Sequence, residues 1–176
     1  MLLERTDINS DAADQYGRAP LLLAAQNGHE GVVRMLLERC DVNPDTSTTG
    51  GQTPLLQAAR GGHGGVVRML LERSDVDPNT VDIYCQTPLL LAAGNGHEGV
   101  VRILLERGDV NPNITNEEGQ TPLIFAAQNG HEGVVRILLE RNDINPSQVD
   151  NCDHTPLLRA ARGGHEGVVS DAAGAE

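Results

Sequence analysis

Apolar residues fall along this chain in two short bursts, separated by glycine and followed by a polar stretch, and then the pattern starts again. In GQTPLIFAAQNGHEGVVRILLERNDINP, residues 119–146, the first burst follows Thr121 and Pro122. Thr121 has the hydroxyl of a helix N-cap, and Pro122 suits the first helical position, where its missing N–H costs nothing. The helix that begins there is short, because Gly130 supplies the left-handed residue that ends helices. Ala126 and Ala127 leave little side chain on one face, so a neighbouring helix can approach closely. A second helix is predicted from Glu132 to about Arg141, with Val134, Val135, Leu138 and Leu139 at helical spacing on its core side. Glu132, Arg136 and Glu140 stand four apart on the other side, where each exposed pair contributes ~0.3 kcal/mol. They read as a solvated face. Asn145 and Pro146 then break the helix, and in the preceding copy, NPNITNEEGQ, Gly119 is placed to turn a projecting hairpin.

His29, His63, His97, His131 and His165 are 34 residues apart at every step, and so are Pro20, Pro54, Pro88, Pro122 and Pro156. A fixed period of this size marks a stack of repeats in which each unit covers its neighbour. The expected organisation is one domain over residues 1–176. It comprises the end of a truncated preceding repeat (1–10), complete repeats at 11–44, 45–78, 79–112 and 113–146, an incomplete final repeat at 147–170 and a tail at 171–176.

The segment NGHEGVVRILLE, residues 95–106, opens like half of a zinc protease signature, but the second histidine of HExxH is replaced by Val101. Histidines placed once per repeat, ~10 Å apart if a helix diameter separates them, cannot converge on one ion. They are expected to tie loops between neighbouring repeats, with no metal and no cofactor. No nucleophile, base and orienting group occur as a unique set, so an enzyme is not expected.

Composition narrows the field. One Phe, two Tyr and no Trp among 39% hydrophobic residues suit layers of small aliphatic side chains. A formal net charge of −12, with arginines mostly interleaved with glutamates, argues against a nucleic-acid partner, which needs a basic stripe. The longest apolar runs, such as Leu21 to Ala25, are far short of the ~20 residues that span a bilayer. No signal peptide is apparent. Cys40, Cys85 and Cys152 lie at three different phases of the repeat, without disulfide or metal-pair spacing. Reduced thiols in a cytoplasmic protein are the expectation.

The segment TPLIFAAQNGHEGVVRILLE resembles the ankyrin repeat, matching its Thr-Pro-Leu start, Ala-Ala helix, Gly-His turn and Val-Val and Leu-Leu second helix over essentially the whole chain. The style of TPLLLAAQNGHEGVVRMLLER is similar to the long ankyrin arrays of filamentous fungi. The resemblance implies an all-α repeat solenoid of stacked helix-turn-helix pairs with projecting hairpin loops and a concave binding surface. Three departures stand out. Leu22, Leu56, Leu90, Ile124 and Leu158 replace the histidine that usually follows Thr-Pro-Leu, so aliphatic packing must stand in for its hydrogen bond. The period exceeds the usual ~33 by one residue. Cys85 and Asp153 replace the turn glycine, so those two tips are expected to be distorted.

Positions that vary between copies are not needed to build the stack, and by the resemblance they face the groove. They are Tyr16, Arg18, Leu23 and Gln26; Gln52, Gln57 and Arg60; Tyr84, Gln86, Leu91 and Asn95; Glu117, Glu118, Gln120, Phe125 and Gln128; and His154, Arg159 and Arg162. Tyr84, an aromatic on a hairpin tip, is the leading hot spot. The expected function is non-enzymatic recognition of a protein or peptide in this groove. The alternative is a structural or engineered stack, a fragment of a larger fungal-type signalling protein, with no ligand of its own.

The two ends add one expectation. MLLER at 1–5 stands one period before MLLER at 35–39, and HEGVVS at 165–170 begins a second helix whose apolar half is replaced by DAAGAE. Leu2, Leu3, Val168 and Val169 are then expected to leave apolar surface exposed or loosely covered, so that one molecule stacks end to end on the next; the alternative is that DAAGAE extends the last helix in Ala-rich form and the first residues fray, leaving a monomer.

Overall fold

A computed structural model describes residues 9–173, with side chains to Ser170. Its helices come in pairs: α1 (Pro20–Gln26) with α2 (Glu30–Leu37), α3 (Pro54–Gly61) with α4 (Gly64–Leu71), α5 (Pro88–Gly94) with α6 (Glu98–Leu105), α7 (Pro122–Gln128) with α8 (Glu132–Leu139), and α9 (Pro156–Gly163) with α10 (Glu166–Ala173). No strand occurs among the described residues. The first helices pack in one row and the second helices in another, the first row being the tighter because its helices meet through alanines. The hairpins join the row of first helices, as Gln57 on α3 bonds Gln52 of the hairpin before it.

Each first helix starts as its sequence dictates. The hydroxyls of Thr53, Thr87, Thr121 and Thr155 accept the backbone N–H three residues on, with Pro at the next position, while the first copy has Ala19 and no side-chain cap. Leu22, Leu56, Leu90 and Ile124 are buried, so aliphatic packing stands in for the missing histidine in four copies, but not in the fifth, where Leu158 is exposed. The core is one continuous strip of Val, Leu, Ile and Ala from Leu21 to Val168.

Two sets of polar ties pin α4, α6 and α8 to the repeat before each, and the first set also serves α10. At the helix start, Nε2 of His63, His97, His131 and His165 meets the backbone carbonyls of Gln26, Arg60, Gly94 and Gln128 at 2.8–3.1 Å. Each ring rests on a glycine of the preceding turn, Gly28, Gly62, Gly96 or Gly130, where a Cβ would overlap the imidazole. Beyond the helix end, Arg73, Arg107 and Arg141 bind Asp75, Asp109 and Asp143 through two N–H groups. The same guanidiniums donate to the last carbonyls of the preceding second helices, those of Leu37, Leu71 and Leu105. These carbonyls lack a helical partner, so the arginine caps them. Charges also reach across repeats elsewhere, as Arg68 lies 3.6 Å from Glu106.

The final pair departs from the expected picture. Val168 is 1% exposed and Val169 half-buried, because they face the preceding repeat. The uncovered side chains there are Leu157 and Leu158, and on the first pair Val32 and Met35. The helix α10 continues through Ala173, three residues into the segment read as a tail, as the Ala-rich alternative has it. Leu2 and Leu3 lie outside the described residues.

His97→Ala is expected to cost about 1 kcal/mol for the lost hydrogen bond, with looser coupling between the second and third pairs, as read by urea unfolding. An unchanged midpoint would show that the ring bears no load. The arginine partners hold the carboxyls of Asp41, Asp75, Asp109 and Asp143 below the ordinary range. A lowered folded pKa gives stability that is complete above the unfolded value of 3.8 and lost as pH falls through the folded one. Arg107→Gln should therefore flatten the acid limb of the melting-temperature profile, and an unaltered limb would contradict this assignment.

Candidate partner-binding groove

The hairpins owe their shape to one residue per repeat that sequence reasoning passes over. Asp14, Thr48, Asp82, Asn116 and Asp150 each accept two backbone N–H groups, from the residues two and four positions on. The signal was present, since these small acceptors recur at the 34-residue spacing. Backbone bonds join the tips in a row: the N–H groups of Ile83, Glu117 and Asn151 donate to the carbonyls of Gly50, Tyr84 and Glu118. The tips lacking glycine are not distorted. Cys85 and Asp153 adopt the left-handed conformation, φ 58° and 59°, and close the same turns. The acceptor side chains hold the loop, so the strain stays at one residue.

The candidate residues divide by what the fold does with them. Leu91 and Gln120 cannot meet a partner, being 3% and 2% exposed. Helix α5 is covered along its whole length, with the ring of Phe125 lying over Gly94. The amide of Gln120 is consumed beneath its tip, accepting from Asn116 and donating to Gln128 at 2.7 Å. Asn95 is exposed, yet its Nδ2 closes its own helix on the Leu91 carbonyl, as Asn27 does on Leu23, so this position is architectural. Phe125, Leu23 and Gln86 are half-buried on the groove wall, and Gln26 and Arg162 are exposed at its edge.

A polar lattice joins helices to hairpins. Gln57 donates to Gln52, Gln52 donates to the buried Asp82 of the next hairpin, and Arg60 lies 3.7 Å from the same carboxylate. On the first hairpin Arg18 pairs with Asp14 and stacks 4.8 Å from the centre of the Tyr16 ring. At the last, Arg159 clamps Asp150. Burial alone pushes the Asp150 carboxyl up, but the His154 N–H, Arg159 and the Cys152 N–H outweigh it and hold it below the ordinary range.

Asp150, Cys152 and His154 bring ligand atoms within 4.8 Å of one another. Two N–H groups occupy one carboxylate oxygen of Asp150 and Arg159 the other, leaving no lone pair free for an ion. The trio reads as a hairpin clamp.

The outward-facing side chains in the middle of the groove are Ile83 and Tyr84 on one tip and Glu117 and Glu118 on the next. Ile83 is a further candidate, at the phase of Gln15, Thr49, Glu117 and Asn151. Between the fourth and fifth pairs lies an apolar cleft of about 470 Å³, lined by residues such as Leu123, Val135, Leu139, Pro156 and Val168 and by no titratable side chain.

A family model described as ankyrin repeats (3 copies) matches residues 1–82, 40–116 and 89–170. No curated protein matches the chain.

Left-handed backbone strains a residue with a Cβ by roughly 1 kcal/mol, so Cys85→Gly is expected to stabilise the protein by up to about that amount in urea unfolding. A lower midpoint would show that the tip is unstrained.

Proposed function

The chain belongs to the ankyrin repeat family, whose repeats are generally non-catalytic protein-interaction modules, and from that premise we propose that it is a non-enzymatic recognition module holding a protein or peptide in the groove. The observation that carries this reading is the tip at Ile83 and Tyr84, 56% and 55% exposed on a backbone anchored to Asp82 and to both neighbouring tips. A rigid, exposed aromatic loses little freedom on binding.

The electrostatics suggest what that partner carries. Arg18, Arg60 and Arg159 face Asp14, Asp82 and Asp150, whereas Glu117 and Glu118 form no ion pair among the described residues. Apolar surface therefore stands beside unbalanced negative charge, which suits a segment with a large apolar residue next to a Lys or Arg. No described helix is long and apolar enough to cross a membrane. Cys40, Cys85 and Cys152 are free and exposed, in keeping with a reducing, cytoplasmic setting. Stacking of one molecule on another is supported by the exposure of Leu157, Leu158, Val32 and Met35. Sedimentation velocity over a range of concentrations, with Leu158→Lys as control, separates that reading from binding in the groove.

Peptides selected by display against the folded chain are expected to pair an aromatic or aliphatic residue with a base. Tyr84→Ala should weaken the best of them by ~1 to 3 kcal/mol at an unchanged melting temperature. Leu104→Ala should instead cost ~2 to 5 kcal/mol of stability through a cavity. No enrichment over background would favour the bare structural or engineered stack, and unfolding by Tyr84→Ala would make the tip part of the core.

A further inference from the structure

Asp11, Asp45, Asn79, Asn113 and Ser147 occupy equivalent positions at 34-residue spacing, and the side chains of Asp11, Asn79 and Asn113 link the loop after one second helix to the loop of the next repeat. Asn79 serves as both acceptor and donor. Its Oδ1 accepts the Asn111 N–H at 2.9 Å, and its Nδ2 donates to the Asp109 carbonyl at 2.7 Å. Asn113 donates in the same way to the Asp143 carbonyl at 2.7 Å.

The two earlier copies carry a carboxyl group instead. Asp11 Oδ2 accepts the Asn43 N–H at 2.9 Å, and at Asp45 the backbone of Asp77 acts only as a minor influence that favours the charged carboxylate. What has no equivalent is the donor. Oδ1 of Asp11 and Oδ1 of Asp45 are buried without a hydrogen-bond partner. Shifted back by one period, the carbonyl that Asn79 reaches at Asp109 is that of Asp75 for Asp45. An ionised carboxylate thus offers an acceptor where the fold calls for a donor, at a substantial desolvation cost.

The charges around Asp45 do not relieve this. Those that act on it are Asp77 and Asp75, both of its own sign, and Arg73 on that side is already bound to Asp75 through two N–H groups. Asp11 stands one repeat earlier, tied to Asn43 in Asp45's own loop.

We propose that Asp45 is a proton-operated clasp between the loops that follow the first and second helix pairs. Protonated, it donates Oδ1–H to the Asp75 carbonyl, as Nδ2 of Asn79 and Asn113 do in the later copies, and the loops lock together. Ionised, it leaves a partly buried charge beside two other acids, and the interface loosens. Burial, and after it the charge of Asp77, raises this carboxyl above its ordinary value. A raised folded pKa means that the clasp is fully present below the unfolded value of 3.8 and is lost as pH rises through the folded one. The Arg–Asp ties run the other way, so a difference between variants, and not one melting curve, isolates it.

Asp45→Asn installs a permanent donor. Its melting temperature should exceed that of the unaltered chain by about 2 to 4 °C near neutral pH. The gap should close as pH falls into the carboxylate range. Asn79→Asp should create the mirror deficit, greatest near neutral pH, at the next interface. Equal melting temperatures at all pH values, a gap independent of pH, or an indifferent Asn79→Asp would overturn the proposal. So would a rise in melting temperature on adding Ca²⁺ that Asp45→Asn abolishes, since a bound cation would then satisfy the oxygen in place of the proton.

Discussion

An imidazole seated on the glycine of the preceding turn, and bonded to a carbonyl of that turn, is the contact on which the stack depends. It fixes where each second helix begins relative to the repeat before it. The guanidinium beyond the other end of that helix fixes where it stops, by capping the last carbonyl of its predecessor. Between the two ties, Val and Leu side chains slide into register and close the core strip. No helix pair covers both of its own faces, so each is stable only as far as its neighbours are. Small aliphatic side chains suffice because no position has to fill the centre of a globule.

The same ties free the rest of the surface to vary, although variation between copies is not always outward. Leu91 stands at the phase of Gln57 and Arg159 and is nevertheless buried. Phe125 finds room because Gly94 replaces the Gln or Arg that the other copies carry at that phase. Part of the variation is therefore compensated packing. What remains, the hairpin tips and the exposed ends of the first helices, is the surface that the proposed recognition would use.

The periodic features of the fold were legible in the sequence because each rests on local chemistry: a Thr-Pro helix start, a glycine stop, apolar residues at helical spacing. The histidine ties were legible as a class, since a residue placed once per repeat has work between repeats. The Arg-x-Asp ties were not, because their meaning lies in a carbonyl 36 residues earlier, which no local pattern shows. The undistorted tips at Cys85 and Asp153 escaped notice because the acceptors that hold them, Asp82 and Asp150, look like ordinary loop residues. The direction of Val168 was misread because the apolar side of a second helix packs on the repeat before it as well as on the one after it, and the sequence does not say which residue serves which. Only the packing of α10 on α8 shows which face looks back. In the groove, Tyr84 could be singled out from its residue type and tip position. The burial of Gln120 could not, as it depends on an amide network spanning a hairpin and a helix.

Five chemically matched probes sit inside this structure: the N–H groups of Val33, Val67, Val101, Val135 and Val169, each donating to the carbonyl of the histidine that opens its helix. Native-state hydrogen exchange at these amides tests directly whether stability is carried by contacts between repeats. If it is, protection peaks at Val101, which has neighbours on both sides, and declines through Val67 and Val135 to Val33 and Val169. Equal protection at all five would contradict the account, because it would mean that the chain opens only as a single cooperative unit.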